Sequence, residues 1–235
     1  MTHFSLRLSK VRKRISSACQ QFGRKPEEIT LLAVSKVHPV AAIREAASCG
    51  QRQFGENFVQ EALAKIEATR DLQLEWHFIG RLQSNKTRPV AAHFQWVQSV
   101  DKEKIARRLD AQRPFHAPPL NVCIQVGIGG EPGKGGVSES AVEPLARIIA
   151  DLPRLRLRGL MAIPPPSDDF QEQRGYFRRL RDVWNDLRSG GLDLDTLSMG
   201  MTDDLEAAIA EGSTMLRVGT ALFGPRPSAG NKQDP

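Results

Sequence analysis

LLAVSK at residues 31–36, followed after a short turn by VAAIREAASCG at 40–50, sets a run of buried-strand character directly before a helical pattern. The first is a short, bounded apolar run; the second carries its apolar residues at helical spacing. The same pairing recurs down the chain. QRQFGEN precedes FVQEALAKIEA, EWHFIG at 75–80 precedes a short helix at about 86–93, and WVQSV at 96–100 precedes KEKIARRLDAQ. NVCIQVGI at 121–128 precedes ESAVEPLARIIADL, and LRLRGLMAI at 155–163 precedes FQEQRGYFRRLRDVWNDLRSG. TLSMG at 196–200 precedes DDLEAAIAEG, and MLRVGT at 215–220 precedes a closing segment. An amphipathic helix over about Phe4 to Phe22 comes before them all. Eight strand–helix units in 235 residues predict an α/β protein built as one closed (β/α)8 TIM barrel, not an open doubly wound sheet. The expected domain runs over residues 1–226, with 227–235 a disordered tail.

Composition narrows the function. With 40% hydrophobic and 26% charged residues the chain has the balance of a globular core. A formal charge of +6 suits anionic ligands, but Lys and Arg are dispersed and aromatic residues few, so neither nucleic acid nor membrane is expected as a partner. Cys19, Cys49 and Cys123 are widely spaced without a CxxC, which predicts no disulfide framework and no zinc site. The opening MTHFSLRLSKVRKRIS lacks the apolar segment of a signal peptide, and a cytoplasmic monomer is the expectation.

In a barrel of this kind the chemistry sits at the C-terminal ends of the strands. Those ends hold Lys36, Glu56, Asn57, His77, Ser99, Asp101, Gln125, Met161, residues 198–202 and residues 217–220. Alternation puts Leu32, Val34 and Lys36 on one face, so an inward Leu32 and Val34 bring the amine with them. A partly desolvated lysine is a competent nucleophile toward an aldehyde. The loops after the seventh and eighth strands are the fold's habitual phosphate site. There GMTDDLEAA offers Thr202 as the N-cap of a helix with free backbone N–H groups, and VGTALFG offers Gly219 for close backbone approach and Thr220 as a hydroxyl donor. Asp203 and Asp204 must then point away from the anion.

LLAVSK, FGEN, EWHFIGRLQSNK, LRGLMAIP, LSMGMTDDLEAAI and GSTMLRVGTALFG occur in the order found in the pyridoxal phosphate homeostasis proteins, and the chain resembles that family to about Arg226. The resemblance implies a single-domain, fold-type III barrel of the alanine-racemase kind that binds pyridoxal 5'-phosphate (PLP). Lys36 would hold PLP as a Schiff base; Met201, Thr202, Gly219 and Thr220 would surround its phosphate. Arg217 would face the pyridine nitrogen, and Asn57 and Ser198 would line the pocket. The implied role is a carrier or regulator of intracellular PLP without catalytic turnover, with amino acids and apo PLP enzymes as possible partners.

PLP stabilises a carbanion best with its ring nitrogen protonated, and a donor-only arginine opposes that. Racemases add a second base, commonly a tyrosine, whereas this chain has only Tyr176, inside a helical pattern and away from the strand ends. Ile163 stands where racemases carry a histidine. The alternatives are a PLP-dependent amino-acid racemase-like enzyme and a class I aldolase using Lys36 on a sugar phosphate.

Four further features stay outside the assignment. His77 is more often a satisfied packing residue than a base. GIGGEPGKGG at 127–136 fails as a Walker loop, because Lys134 precedes Gly135 instead of Ser or Thr, and reads as a loop over the mouth. Asn57 with Gln60 matches an Asn capping box. Lys86 and Arg88 read as a solvated face.

Overall fold

The computed structural model describes residues 2–129 and 135–225. Helix α1 (His3–Gln21) buries Phe4, Leu8, Val11, Ile15 and Ala18, a stripe at alternating spacings of four and three that turns one helical face to the barrel. Thr2 caps it, its hydroxyl accepting from the Ser5 N–H at 3.2 Å.

Eight strands follow, each succeeded by a helix. β1 (Thr30–Val34) leads to α2 (Val40–Ser48), β2 (Gln53–Glu56) to α3 (Val59–Ala68), and β3 (Glu75–Phe78) to α4 (Thr87–His93). β4 (Trp96–Val100) leads to α5 (Glu103–Gln112), β5 (Leu120–Val126) to α6 (Glu139–Ala150), and β6 (Leu155–Ala162) to α7 (Phe170–Ser189). β7 (Thr196–Ser198) and α8 (Leu205–Ala210) come next, then β8 (Met215–Val218) and α9 (Thr220–Phe223). Every strand is parallel to its neighbours, and β1 closes on β8 with Thr30 beside Met215 and Ala33 beside Val218. The expected (β/α)8 barrel is the observed fold. The expected tail at 227–235 lies outside the described residues.

Alternation along the strands builds two cores. Ala33, Phe54, Trp76, Phe78, Val97, Leu160, Leu197 and Val218 face the helices in the larger one. Leu32, Val34, Ile79, Trp96, Cys123, Met161 and Met215 make a smaller cluster inside the barrel, with Ile163 packed against it. The inward face is only partly apolar. His77, Gln98, Ser198 and Arg217 are buried and alternate with residues of the outer core. Such groups persist inside a protein only when hydrogen bonded.

No helix among the described residues is long and apolar enough to cross a membrane. The three cysteines are free, and no cluster of metal-ligating side chains occurs among the described residues.

Candidate functional site at the barrel mouth

β1 stops at Val34, and Lys36 lies in the turn beyond it, half-buried. Leu32 and Val34 do face the interior, but strict alternation ends one residue before the turn begins. The next residue, Val37, has φ 62°. That left-handed conformation is an outlier for a β-branched side chain. Its N–H donates to Glu61 Oε1 at 2.6 Å, which fixes the turn from α3.

Behind the turn lies a buried ionic network. Lys65 Nζ donates to Glu56 Oε1 at 2.7 Å, to the Ser35 carbonyl at 2.8 Å and to Glu61 Oε1 at 2.5 Å. Ser35 Oγ adds a bond of 2.6 Å to Glu56 Oε1. Burial pushes the Glu56 carboxyl up, while the bonds from Lys65 and Ser35 pull it back. Both backbone positions flanking Lys36 are thus held by side chains from α3, and the Ser35 hydroxyl by Glu56 of β2. Sequence reasoning placed Glu56 at a strand end but missed Lys65 and Glu61; their spacing of four on a helix, beside a strand-end glutamate, is the signal available.

Arg217 is 4% exposed, and its guanidinium donates to Ser198 Oγ at 2.8 Å and to the Ala162 carbonyl at 2.7 Å. Burial lowers it to about 10, opposed by the charge of Asp204, so it stays cationic at neutral pH. Because β8 pairs with β1, the residues following Arg217 run beside those leading to Lys36. Gly219 shows how closely: a Cβ there would lie 3.3 Å from the Val34 carbonyl oxygen. Thr220 follows as the first, exposed residue of α9.

The loop after β7 departs from expectation. Gly200, at φ 96°, turns the chain where a Cβ would come within 2.5 Å of Ala208 Cβ. Thr202 is not the N-cap of α8; that position belongs to Asp204, and the Thr202 carbonyl accepts from Arg14 at 2.8 Å. Nor does Asp204 point away. Its Oδ1 accepts the Met201 N–H at 2.5 Å, so that backbone donor is already engaged. Burial pushes the Asp204 carboxyl up, against the Met201 hydrogen bond and the charge of Arg217. Asp203 is exposed.

Asn57 caps nothing. α3 begins at Val59 with Phe58 as N-cap, and Asn57 Oδ1 is buried without a hydrogen-bond partner. Gly80, a near neighbour, would place a Cβ 2.2 Å from the Asn57 carbonyl oxygen. His77 is fully buried and stacks on Trp96 at 5.1 Å, a packed position and not a base at the mouth. Tyr176 donates its hydroxyl to Glu172 at 2.9 Å, yet its ring borders the loop after β5, 3.3 Å from where a Gly129 Cβ would stand. It is therefore nearer a strand end than its helical setting suggests. Lys86 is half-buried beside Asn57 and Phe58, while Arg88 is exposed. Lys134 lies outside the described residues.

Residues 6–227 match the family described as alanine racemase, N-terminal domain. The pyridoxal phosphate homeostasis protein of Pseudomonas aeruginosa is 56% identical over 226 residues, covering 96% of this chain and 97% of that one. Its Escherichia coli counterpart is 52% identical over 229 residues, covering 96% and 98%. Among solved structures, PipY of Synechococcus elongatus with PLP bound is 39% identical with a TM-score of 0.84, covering 94% of this chain and all (100%) of that one. Alanine racemase from Corynebacterium glutamicum shares the fold at 17% identity and a TM-score of 0.68, covering 95% of this chain and 63% of its own.

Proposed function

Because the chain belongs to the pyridoxal phosphate homeostasis protein family, built on the alanine racemase N-terminal barrel, we propose that it binds PLP at the barrel mouth with Lys36 as covalent anchor. On this reading it holds the cofactor for the supply of apo enzymes in the cytosol and does not turn over amino acids. The observation that carries it is the closure of β1 on β8, which brings the Lys36 turn, the Gly219–Thr220 turn and the buried Arg217 into one corner.

The residues present fit the group. PLP supplies, when bound, an aldehyde carbon for a lysine amine and an electron-withdrawing ring. Asn57 Oδ1 is a buried acceptor lacking a donor, suited to a ring hydroxyl. Gly219 and Thr220 lead α9 and would present backbone N–H groups and a hydroxyl to the phosphate, with Ser198 lining the pocket. Thr202 and Met201 would contribute side-chain contacts there, since Asp204 occupies the Met201 N–H. Arg217 offers only N–H donors and would leave a ring nitrogen unprotonated, which weakens the electron sink. Ile163 packs against the inner core and provides no base, and the Tyr176 hydroxyl is bonded to Glu172.

Borohydride reduction of the PLP-loaded protein, followed by peptide mapping, is the test. The pyridoxyl label is expected on Lys36, and Lys36→Ala should lose most near-visible absorption. Native label found instead on Lys86 or Lys134 contradicts the anchor.

A further inference from the structure

A single chain of hydrogen bonds crosses the barrel interior from Arg217 to Glu75. Arg217 donates to Ser198 Oγ at 2.8 Å, and Ser198 Oγ donates to Gln98 Oε1 at 2.6 Å. Gln98 Nε2 meets His77 Nδ1 at 2.9 Å, and His77 Nε2 meets Glu75 Oε1 at 2.9 Å. Ser198, Gln98 and His77 are each fully buried, so water cannot substitute for any of them. Only Glu75 reaches solvent, with 41% of its side chain exposed.

The ends determine the direction of every bond. A guanidinium only donates, so Ser198 must accept from Arg217 and spend its one proton on Gln98. The Gln98 carbonyl therefore faces Ser198 and its amide faces His77, a donor that requires an unprotonated Nδ1. The imidazole proton is left on Nε2, pointing at Glu75, whose ionised carboxylate only accepts. Donor-only and acceptor-only ends agree on one polarity, and reversing any link leaves two donors or two acceptors opposed.

Surrounding groups reinforce it. Gln98 Nε2 also donates to Met215 Sδ at 3.1 Å, and stacking on Trp96 at an interplanar angle of 8° fixes the imidazole plane. Arg158 lies over the Trp96 ring at 4.7 Å. Burial pushes His77 down against the pull of Glu75, which keeps the ring neutral and able to accept at Nδ1.

We propose that Gln98 and His77 are positioning residues: through Ser198 they orient the Arg217 guanidinium within the barrel and so set how firmly a ring-nitrogen ligand is held. The proposal rests on the PLP reading for its ligand, but its hydrogen-bond polarity does not.

Two measurements test it. In the full-length protein without PLP, 15N-histidine spectra at neutral pH, with His77 assigned by comparison with His77→Asn, should show a neutral ring protonated at Nε2. In Gln98→Glu, whose carboxylate accepts from both sides, Nδ1 should gain a proton. A wild-type ring protonated at Nδ1, or one unaltered by Gln98→Glu, overturns the proposal even if PLP does not bind. The second measurement is PLP affinity. Gln98→Leu should weaken binding about tenfold, the scale of one lost hydrogen bond. In an Arg217→Ala background the same change should have little further effect, because its influence passes through the arginine. Fully additive losses contradict the coupling. If wild type fails to bind PLP at all, the functional reading fails and the histidine spectra alone decide this one.

Discussion

Val37 carries the least comfortable backbone beside the proposed anchor. A left-handed φ costs an L-residue roughly 1–2 kcal/mol, and more when the side chain is β-branched. Val37 is 43% exposed, so its own burial returns little. The Glu61 carboxylate on its N–H and the Glu56–Lys65 pair behind Ser35 keep the turn closed. Val37→Gly removes the steric cost and incurs roughly 0.5–1 kcal/mol of extra chain entropy. The expected balance is a gain of roughly 0.5 kcal/mol, read as a higher urea midpoint; a lower midpoint shows that the turn is not strained. Lys36 drew notice only through the barrel, because a lysine closing an apolar run such as LLAVSK is by itself usually a solvated loop charge, and it is the fold that puts this one at a strand end. The network around it was not legible in the sequence, since Glu56 meets Lys65 only through the packing of α3 on β2, although Glu61 and Lys65 already pair four residues apart along α3.

Between elements, the clearest electrostatic joint is Glu211, the C-cap of α8. Its buried carboxylate accepts from Arg174, Arg178 and Arg181 of α7 at 2.7, 3.0 and 2.6 Å. Burial alone would raise this carboxyl; the hydrogen bonds from Arg178 and Arg174 and the charge of Arg181 outweigh it and hold it below the usual range. A carboxylate lowered on folding contributes stability that is complete above its unfolded value of about 4.3 and is lost as pH falls through the folded one. Glu211→Gln should destabilise the protein at neutral pH by roughly 2 kcal/mol and flatten the decline below about pH 4. An unchanged acid profile removes Glu211 from this role. Helices and strands were readable from periodicity, and the strand starts at Glu75, Trp96, Leu155, Thr196 and Met215 fall where the sequence put them, whereas two helix caps do not. Thr202 and Asn57 look like N-caps in sequence, yet Arg14 holds the Thr202 carbonyl and α3 starts two residues after Asn57. Neither α3 nor α8 receives the side-chain cap that local capping rules assign.

For the molecule as a whole, the βα rhythm led directly to the barrel, because eight such units in one chain leave few topologies and the closing β1–β8 pair is one of them. What the rhythm could not reveal is the polar interior. Gln98 and Ser198, 100 positions apart, become partners only when the barrel closes, and nothing in WVQSV or TLSMG points to the other. Arg217 ends that interior beside the closing β1–β8 pair, and the proposal that the protein holds PLP rests on this closure together with the family to which the chain belongs. Exchange of the α-proton of an added amino acid with deuterated solvent, against a control of free PLP, tests that account most directly. Exchange no faster than the control by a protein demonstrably loaded on Lys36 is the predicted result. Exchange at the 1–1,000 per second typical of enzymes would contradict it and restore the racemase reading.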